Sequence, residues 1–143
     1  MLRYGGFYGP GTSLDGPGSE HVEAIRRRLF PLIGDGAGVW SFVHVADAAE
    51  ATLVALEQGR RSIYNVVDDE PARVADWLLA LARAGGAALP RRVPRWLGRL
   101  LGGEVATLMM TEIRGASNAK ARRDLGWAPR HPSLLGTFAE GTV

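Results

Sequence analysis

A strand-forming segment near the start of the chain is followed at once by a dense run of turn residues. In the stretch LRYGGFYGPGTS, apolar and aromatic side chains are interrupted by Gly5, Gly6, Gly9, Pro10 and Gly11. A strand that ends in such a turn often carries backbone or side chains to a functional site. Because Met1 alone precedes this segment, its pairing partner has to come from later in the chain or from another molecule.

The size and composition of the chain describe one globular unit. Its 143 residues suffice for one domain with a core and are too few for two ordinary domains. Hydrophobic residues make up 46% of the chain, and no apolar run is long enough to cross a bilayer. The first residues lack an export signal, and there is no cysteine for a disulfide or thiolate site. We therefore expect a cytoplasmic protein without a membrane partner.

The charge balance argues against a nucleic-acid partner. Seventeen basic residues are offset by 15 acidic ones, which leaves a formal net charge of +2. So small an excess does not predict a basic binding surface. Lys120 is the only lysine, so a phosphate-binding loop that ends in lysine is excluded.

Predicted helices and strands alternate along the rest of the chain. Apolar residues recur at helical spacing in SEHVEAIRRRLF, DAAEATLVALEQG, RVADWLLALARAGG, PRWLGRLLGG and SNAKARRDLG. The segments VWSFVHV and SIYNVV are rich in β-branched and aromatic residues and predict strands, the first buried on both faces. In the first helix, Val22, Ile25 and Leu29 are predicted to share one apolar face. The pattern indicates an α/β fold.

The helix predicted over DAAEATLVALEQG has the clearest signals. Asp47 and Glu50 have the spacing of a capping box, and Gly59 follows the last periodic residue. We expect Asp47 to cap the helix. Its buried face is predicted to consist of Ala49, Leu53 and Leu56.

No motif for phosphate, metal or nucleophilic chemistry is complete. The glycine runs GGFYGPG and GDGAG do not open directly into a helix, which favours turns. His21, His44 and His131 lie far apart, and His44 with Asp47 is the nearest approach to a metal site. A buried strand and a helix cap account for that pair, so we assign no metal ligands. A G-x-S-x-G nucleophile motif is absent.

Two charged segments are interpreted as solvated surface. The adjacent acids Asp68, Asp69 and Glu70 follow a strand, which is typical of an exposed turn. The segment RRVPRWLGRLLGG combines arginines with tryptophan and leucine and could suit a membrane surface or a partner protein. We favour a short helix that lies on the domain with its arginines in water.

Four segments in order resemble a known family. LRYGGFYGPG, SFVHVADAAEATLVALE, YNVVDDEP and SNAKARRDLGWAPRHPS look like the carboxyl-terminal part of an extended short-chain dehydrogenase/reductase, in the NAD-dependent epimerase/dehydratase family. The resemblance covers almost the whole chain. It implies the substrate lobe and the last sheet strands of a Rossmann-type enzyme, with an incomplete sheet. Residues 1–143 would then form a single partial domain, and the opening segment would be the sixth strand of the sheet.

The resemblance also implies roles for the residues near the opening strand. The loop after this strand passes the nicotinamide in the family, so cofactor-binding roles are expected for Tyr4, Gly5 and Gly6. Substrate-binding roles are expected for Phe7, Tyr8 and Trp40.

The resemblance assigns no catalytic residue to this chain. Enzymes of the family bind the dinucleotide with an amino-terminal glycine motif and use a Y-x-x-x-K pair for acid/base chemistry. Here Ala116 stands four residues before Lys120, and the glycine motif is missing. NAD or NADP is thus expected to serve the parent enzyme, and neither is expected to bind the isolated chain tightly.

Two departures from the family narrow the expected substrate. Gly6 stands where many relatives carry asparagine, and Trp40 stands where nucleotide-sugar epimerases often carry arginine. An indole cannot replace a guanidinium that faces a diphosphate. The segment ATLMMTE also lacks an arginine. An apolar or aromatic alcohol or ketone therefore fits better than a nucleoside-diphosphate sugar.

Two functions stay open at the level of sequence. The chain is either the substrate-binding portion of an NAD(P)-dependent oxidoreductase or epimerase, inactive by itself, or a non-enzymatic module for ligand binding or association. In both cases the strand at residues 2–5 would lack parallel neighbours, and this exposed edge predicts homo-oligomerisation or poor solubility.

Overall fold

Helices and strands are interspersed along the chain in the predicted α/β manner, although the last three elements are all helices. The computed structural model describes residues 1–15, 18–58 and 61–141, and the predicted helix end at Gly59 lies outside these ranges. The strands are β1 Leu2–Tyr4, β2 Gly6–Tyr8, β3 Leu32–Ile33, β4 Val39–Trp40, β5 Phe42–His44, β6 Tyr64–Val66, β7 Ala72–Arg73 and β8 Arg92–Val93. The helices are α1 Glu20–Arg26, α2 Val45–Gln58, α3 Val74–Ala84, α4 Arg95–Thr111, α5 Ala119–Leu125 and α6 Leu134–Ala139.

The opening segment changes its pairing partner at Gly5. β1 pairs in parallel with β6, and β2 pairs in parallel with β5. The Gly5 N–H donates to the Val66 carbonyl at 3.1 Å, and the Gly6 N–H donates to the Ser41 carbonyl at 2.9 Å. A Cβ at Gly5 would lie 2.6 Å from the Ser41 carbonyl oxygen, so only glycine allows this approach. The partners of the opening strand therefore come from later in the same chain.

The sheet is incomplete within the described ranges. Each of the four sheets there has two strands, and three of the four pairs are parallel. β1 has one neighbour, β6, which corrects the expectation that this strand lacks any parallel partner. Parallel strands normally lie inside larger sheets that are covered on both faces.

The strand predicted over VWSFVHV is divided in two. β4 pairs antiparallel with β7, whereas β5 pairs with β2, and Ser41 lies between them. The Ala116 N–H donates to the Ser41 hydroxyl at 2.7 Å, which fixes this break. Phe42 and Val43 point into different hydrophobic clusters, so β5 is buried on both faces as predicted.

The larger hydrophobic cluster surrounds Trp77. Its ring centroid lies 5.3 Å from Trp40, 5.6 Å from Phe42 and 6.3 Å from Phe30. The predicted apolar stripe of α3 is confirmed, because Val74, Trp77, Leu78 and Leu81 are buried. A second cluster packs α2 and α5 against β5 and β6.

The predicted buried faces of the first two helices are wrong in part. α1 ends at Arg26, so Leu29 falls beyond it and is exposed, although Val22 and Ile25 are buried as predicted. α2 begins at Val45, before the predicted cap, and buries Ala48 and Ala51. Short alanine side chains let this helix approach the sheet closely. The predicted face is exposed at all three positions, Ala49, Leu53 and Leu56.

α4 is longer and more exposed than the sequence predicts. It extends to Thr111 and is interrupted at Gly103, whose φ is 83°. Its arginines Arg95 and Arg99 are exposed as predicted. Trp96, Leu100 and Leu101 are exposed as well, so these apolar side chains do not pack on the domain. In the described part of the chain, no helix combines the length and apolar character needed to span a membrane.

Candidate functional site

An apolar cavity of about 550 Å³ opens between α4 and the segment that joins α1 to β3. This volume is typical of a small-molecule site. Among the described residues that line it, Arg28 and Arg91 are the charged ones. The other lining residues are Leu29, Phe30, Pro31, Ile33, Trp40, Val93, Gly98, Leu101, Gly102, Ala106, Met109 and Met110.

Trp40 presents an apolar ring to this cavity. Its Nε1 donates to the Met109 carbonyl at 2.7 Å, and its ring lies 5.3 Å from that of Trp77. Because the indole N–H is already bonded, the side chain offers a ligand no further hydrogen bond. This geometry suits the expected hydrophobic substrate, and the substrate-binding role of Trp40 stays a prediction.

Phe7 lies beside a different and smaller cavity. That cavity has a volume of about 380 Å³ and is also lined by Gly11, Thr12, Ser13 and Val45. Phe7 is 45% exposed, and its ring centroid is 5.6 Å from that of Tyr4. The described structure thus places two expected substrate contacts, Phe7 and Trp40, in separate cavities.

Tyr8 is fully buried beneath the loop that follows β2. Its hydroxyl donates to the His131 carbonyl at 3.2 Å. Burial raises the pKa of the phenol far above its ordinary value, although a hydrogen bond with Thr137 lowers it, and the nearby charges of Asp68 and Asp47 raise it further. The phenol is therefore neutral at physiological pH. Tyr8 lines neither cavity described above, and its expected contact with substrate stays a prediction.

The residues expected near the cofactor lie where the opening strand changes partner. The N–H groups of Gly5 and Gly6 are used in strand pairing. Tyr4 is partly exposed, and its hydroxyl shares a 2.6 Å hydrogen bond with the Thr52 hydroxyl. A Cβ at Gly6 would lie 3.1 Å from the Phe42 ring, so a side chain there would require that ring to shift slightly.

The structure adds His131 to the pair His44 and Asp47, which the sequence had already brought together. Asp47 is 1% exposed, and its Oδ2 accepts the His131 N–H at 2.8 Å and lies 3.0 Å from His131 Nδ1. The two imidazole rings stack at 3.8 Å. Asp47 therefore holds the carboxyl-terminal segment and does not cap α2, which corrects the prediction. Asp47 and His131 lie 84 residues apart, so no local spacing could reveal their contact.

The geometry of this cluster fits a structural contact better than a metal centre. Its potential ligand atoms lie within 4.8 Å of one another. The rings are nearly parallel, however, with an interplanar angle of 19°, so their lone pairs do not converge on one point. His44 Nδ1 accepts the Ala46 N–H at 3.2 Å, and a Cβ at Gly9 would lie 2.4 Å from His44 Nε2. The expectation of no metal ligand stays a prediction.

Burial also governs the charge of His44. Desolvation lowers the pKa of this imidazole, and the neighbouring His131 lowers it further, against a smaller opposing effect of Asp47. His44 is therefore neutral at physiological pH, with its Nδ1 acting as an acceptor. This protonation state is consistent with close ring stacking.

Asp68 is buried, which corrects its interpretation as part of a solvated turn. Its side chain is at the start of α6, where one carboxylate oxygen accepts the Leu134 N–H at 3.2 Å. Its other oxygen has no hydrogen-bond partner among the described residues. Burial raises the pKa of this carboxyl group from 3.8 to about 7, against hydrogen bonds from the backbone of Leu134 and Phe42 that lower it.

Asp69 lies in a different environment from its neighbour. It pairs with Arg122 and accepts a hydrogen bond from the Asn118 amide at 2.7 Å. Burial works to raise the pKa of Asp69, but the hydrogen bonds from Arg122 and Asn118 outweigh it and hold the pKa below its ordinary value. The two adjacent carboxyl groups thus have pKa shifts of opposite sign. Asp69 and Glu70 are exposed as predicted, and only Asp68 departs from the predicted solvated turn.

Comparisons with known proteins identify relatives of this chain, and the family match includes the opening glycine-containing strands. The model of the NAD dependent epimerase/dehydratase family matches residues 1–67. A 3-diazoavenalumate denitrifying reductase from a Streptomyces species is 45% identical over 133 residues, which are 93% of this chain and 43% of that protein. A UDP-glucose 4-epimerase from Corynebacterium glutamicum is 32% identical over 104 residues, or 70% of this chain and 28% of that protein.

Solved structures show the same fold. A human epimerase family protein, crystallised with NADPH, matches with a TM-score of 0.71 at 22% identity over 99% of this chain and 47% of that chain. A dTDP-glucose 4,6-dehydratase from Streptomyces venezuelae matches with a TM-score of 0.68 at 22% identity over 99% of this chain and 41% of that chain.

The expected α/β fold with an incomplete Rossmann-type sheet is confirmed by these matches. The chain spans less than half the length of the curated relatives that it matches. The family model, the curated relatives and the solved structures agree, and the chain belongs to the NAD-dependent epimerase/dehydratase family.

Proposed function

We propose that residues 1–143 are the substrate-binding portion of an NAD(P)-dependent oxidoreductase or epimerase of the cytoplasm. Its reaction is hydride transfer to or from a hydroxyl or carbonyl substrate, and the chain forms a single partial domain of the parent enzyme. The observation that supports this proposal most strongly is the apolar cavity with Trp40 in its wall, in a chain of this family.

The lining of the cavity favours an apolar or aromatic substrate. The relative at 45% identity is named a reductase of 3-diazoavenalumate, whereas the relative at 32% identity is named for UDP-glucose. The described residues of the cavity wall include two arginines, and their one other polar side-chain group, the Trp40 indole N–H, is already bonded to the Met109 carbonyl. A nucleotide sugar has many hydroxyl groups that would stay unpaired there.

The cofactor is proposed to lie beside the opening strand. Phe7 lines the 380 Å³ cavity and its ring lies 5.6 Å from the exposed ring of Tyr4, and such apolar surface suits the flat nicotinamide ring. Gly5 and Gly6 keep the strand close to its neighbours at this point. When bound, NAD or NADP accepts or supplies the hydride. Phe7 is proposed to lie between the cofactor and the substrate, with Tyr8 supporting the loop from below.

The isolated chain is expected to show neither dehydrogenase activity nor appreciable NAD(H) binding. It lacks the dinucleotide-binding glycine motif and the Y-x-x-x-K pair. Isothermal titration calorimetry of the 143-residue chain with NADH and NADPH is the measurement, and a micromolar dissociation constant would contradict the expectation. The longer protein that contains the chain is expected to bind one of the two cofactors and to oxidise it with substrate.

A non-enzymatic ligand-binding or association module is the alternative. It is favoured because a separate module needs a core of its own, and this chain forms two hydrophobic clusters. The two proposals differ in what is encoded upstream of Met1. A G-x-x-G-x-x-G motif and a Y-x-x-x-K pair in the same reading frame would support the enzyme, and their absence would support the module.

The chain is expected to self-associate through the open edge of β1. β1 pairs on one side only within the described ranges, and unpaired strand edges recruit further strands. Sedimentation velocity over a range of concentrations is the measurement, and a monomer at the highest concentration would contradict the expectation.

A double variant tests whether the strand edge is responsible. Leu53→Glu with Leu56→Glu changes the exposed face of α2 and leaves β1 intact. The variant should still associate if the strand edge is the interface. Loss of association would assign the contact to α2 instead.

A further inference from the structure

The backbone at Arg28 is held in a conformation that favours glycine. Its φ is 56°, and Arg28 is the only non-glycine residue with a positive φ in the described part of the chain. The Leu29 N–H donates to the Ala24 carbonyl and the Arg28 N–H to the Ile25 carbonyl, both at 2.9 Å. These two bonds form a Schellman motif that ends α1, and the position occupied by Arg28 is usually glycine. The strain suggests that the side chain has a function.

Arg28 is one of the residues that line the apolar cavity. Arg91 lines it too and is held beside β3, since the Leu32 N–H donates to the Arg91 carbonyl at 2.9 Å. Two arginines therefore line a cavity whose other described lining residues are uncharged.

No carboxylate pairs with either guanidinium among the described residues. The acids of α1 and α4 in these ion pairs contact other arginines, since Glu23 pairs with Arg26, Glu104 with Arg99, and Glu112 with Arg95. Unpaired guanidinium groups at the edge of an apolar space are suited to bind a carboxylate, which they can hold with two parallel hydrogen bonds.

We infer that this cavity binds an aromatic carboxylate, with its ring against Trp40 and its anionic group at Arg28 and Arg91. The inference rests on the proposed function, because it names the substrate class of the same cavity. A single carboxylate fits better than a nucleoside diphosphate, since the Trp40 N–H is bonded to Met109 and the remaining wall offers a ribose no side-chain partner. Arg28 is thus a specificity-determining residue whose backbone strain is retained for ligand binding.

The test compares trans-cinnamate with its neutral isostere trans-cinnamamide. Binding of each probe to the 143-residue chain is measured from amide chemical shifts in titrations up to 10 mM. Cinnamate is expected to bind at least about tenfold more tightly than the amide, because a charge-assisted pair replaces a neutral contact. The preference should shrink in 0.5 M NaCl, which screens exposed charges.

Substitutions separate the two parts of the inference. Arg28→Gln should weaken cinnamate binding about tenfold and leave cinnamamide unchanged. Arg27→Gln is the matched control, because it removes the adjacent charge from a residue that does not line the cavity, and it should alter neither probe. Ala106→Phe fills the cavity and should abolish binding of both probes.

Arg28→Gly provides a readout that a purely structural role would not give. Glycine relieves the left-handed backbone, so this variant should unfold at a higher temperature than the parent chain while it loses cinnamate affinity. A gain in stability with unchanged affinity would overturn the inference.

The remaining outcomes separate the inference from the proposed function. Equal affinity for cinnamate and cinnamamide would overturn the carboxylate inference and leave an aromatic site intact. Tighter binding of UDP than of cinnamate would overturn the inference in favour of a nucleotide. Failure of both aromatic probes to bind at 10 mM would overturn the inference together with the proposed aromatic substrate.

Discussion

At pH 8 the Asp68→Asn variant is expected to be more stable than the parent chain, by about 2–4 kcal/mol. Asp68 is buried, and burial raises the pKa of its carboxyl group from 3.8 to about 7. The charged form is therefore costly in the folded state above pH 7. Asparagine has nearly the same shape, and its amide oxygen can still accept the Leu134 N–H that begins α6.

The raised pKa of Asp68 determines how the free energy of unfolding changes with pH. Below about pH 4 the carboxyl group is protonated in the folded and unfolded states, so it does not favour either. Between pH 4 and pH 7 the unfolded state releases its proton first, so the free energy of unfolding falls as the pH rises. Well above pH 7 the carboxyl group is ionised in both states, and the free energy of unfolding falls no further on its account. The advantage of Asp68→Asn should therefore grow from pH 4 to pH 8.

Urea unfolding at pH 4, 6 and 8 is the measurement, and Asp69→Asn is the matched control. The pKa of Asp69 is held below its ordinary value by hydrogen bonds from Arg122 and Asn118 that outweigh burial. Neutralising Asp69 should therefore reduce the free energy of unfolding at pH 8, which is the opposite of the effect expected for Asp68→Asn. A pH-independent difference between Asp68→Asn and the parent chain would contradict the assigned protonation state.

Replacement of Trp77 by alanine is expected to reduce the free energy of unfolding by about 3–5 kcal/mol. Trp77 is 1% exposed and contacts the rings of Phe30, Trp40 and Phe42, so its removal leaves a large void at the centre of the main cluster. Total stabilities are commonly about 5–15 kcal/mol, so the variant would be close to unfolding at room temperature.

Two further substitutions show whether the loss comes from packing. Trp77→Phe should cost much less than Trp77→Ala, because the Trp77 Nε1 has no hydrogen-bond partner among the described residues. Trp96→Ala removes an indole that is 67% exposed and should change stability by less than about 0.5 kcal/mol. Thermal and urea unfolding of the three variants is the measurement. A similar loss for Trp77→Ala and Trp96→Ala would contradict the central role of Trp77.

The features that the sequence predicted are those set by local patterns. The stripe on α3 follows from helical spacing around Trp77, and the two-sided burial of β5 follows from its β-branched and aromatic residues. The family resemblance depended on four short segments whose order is preserved in the fold. These signals are contained in a few neighbouring residues, so one sequence is enough to read them.

The features that the sequence missed depend on residues far apart in the chain. Asp47 had the local spacing of a helix cap, but its partner is His131, and the charge state of Asp68 depends on the distant start of α6. On α2, close contact with the sheet favoured Ala48 and Ala51 over the larger leucines. The unusual backbone at Arg28 gives no sequence signal, because arginine is a common residue on helices.

The change of partner at Gly5 has a consequence for how the molecule unfolds. A pair of short strands is marginally stable by itself, and here one continuous segment supplies a strand to each of two such pairs. Neither pair can separate without pulling on the other, so the two should open as one cooperative unit. Amide hydrogens on β5 and β6 should accordingly exchange with solvent at similar rates, although the two strands share no direct pairing.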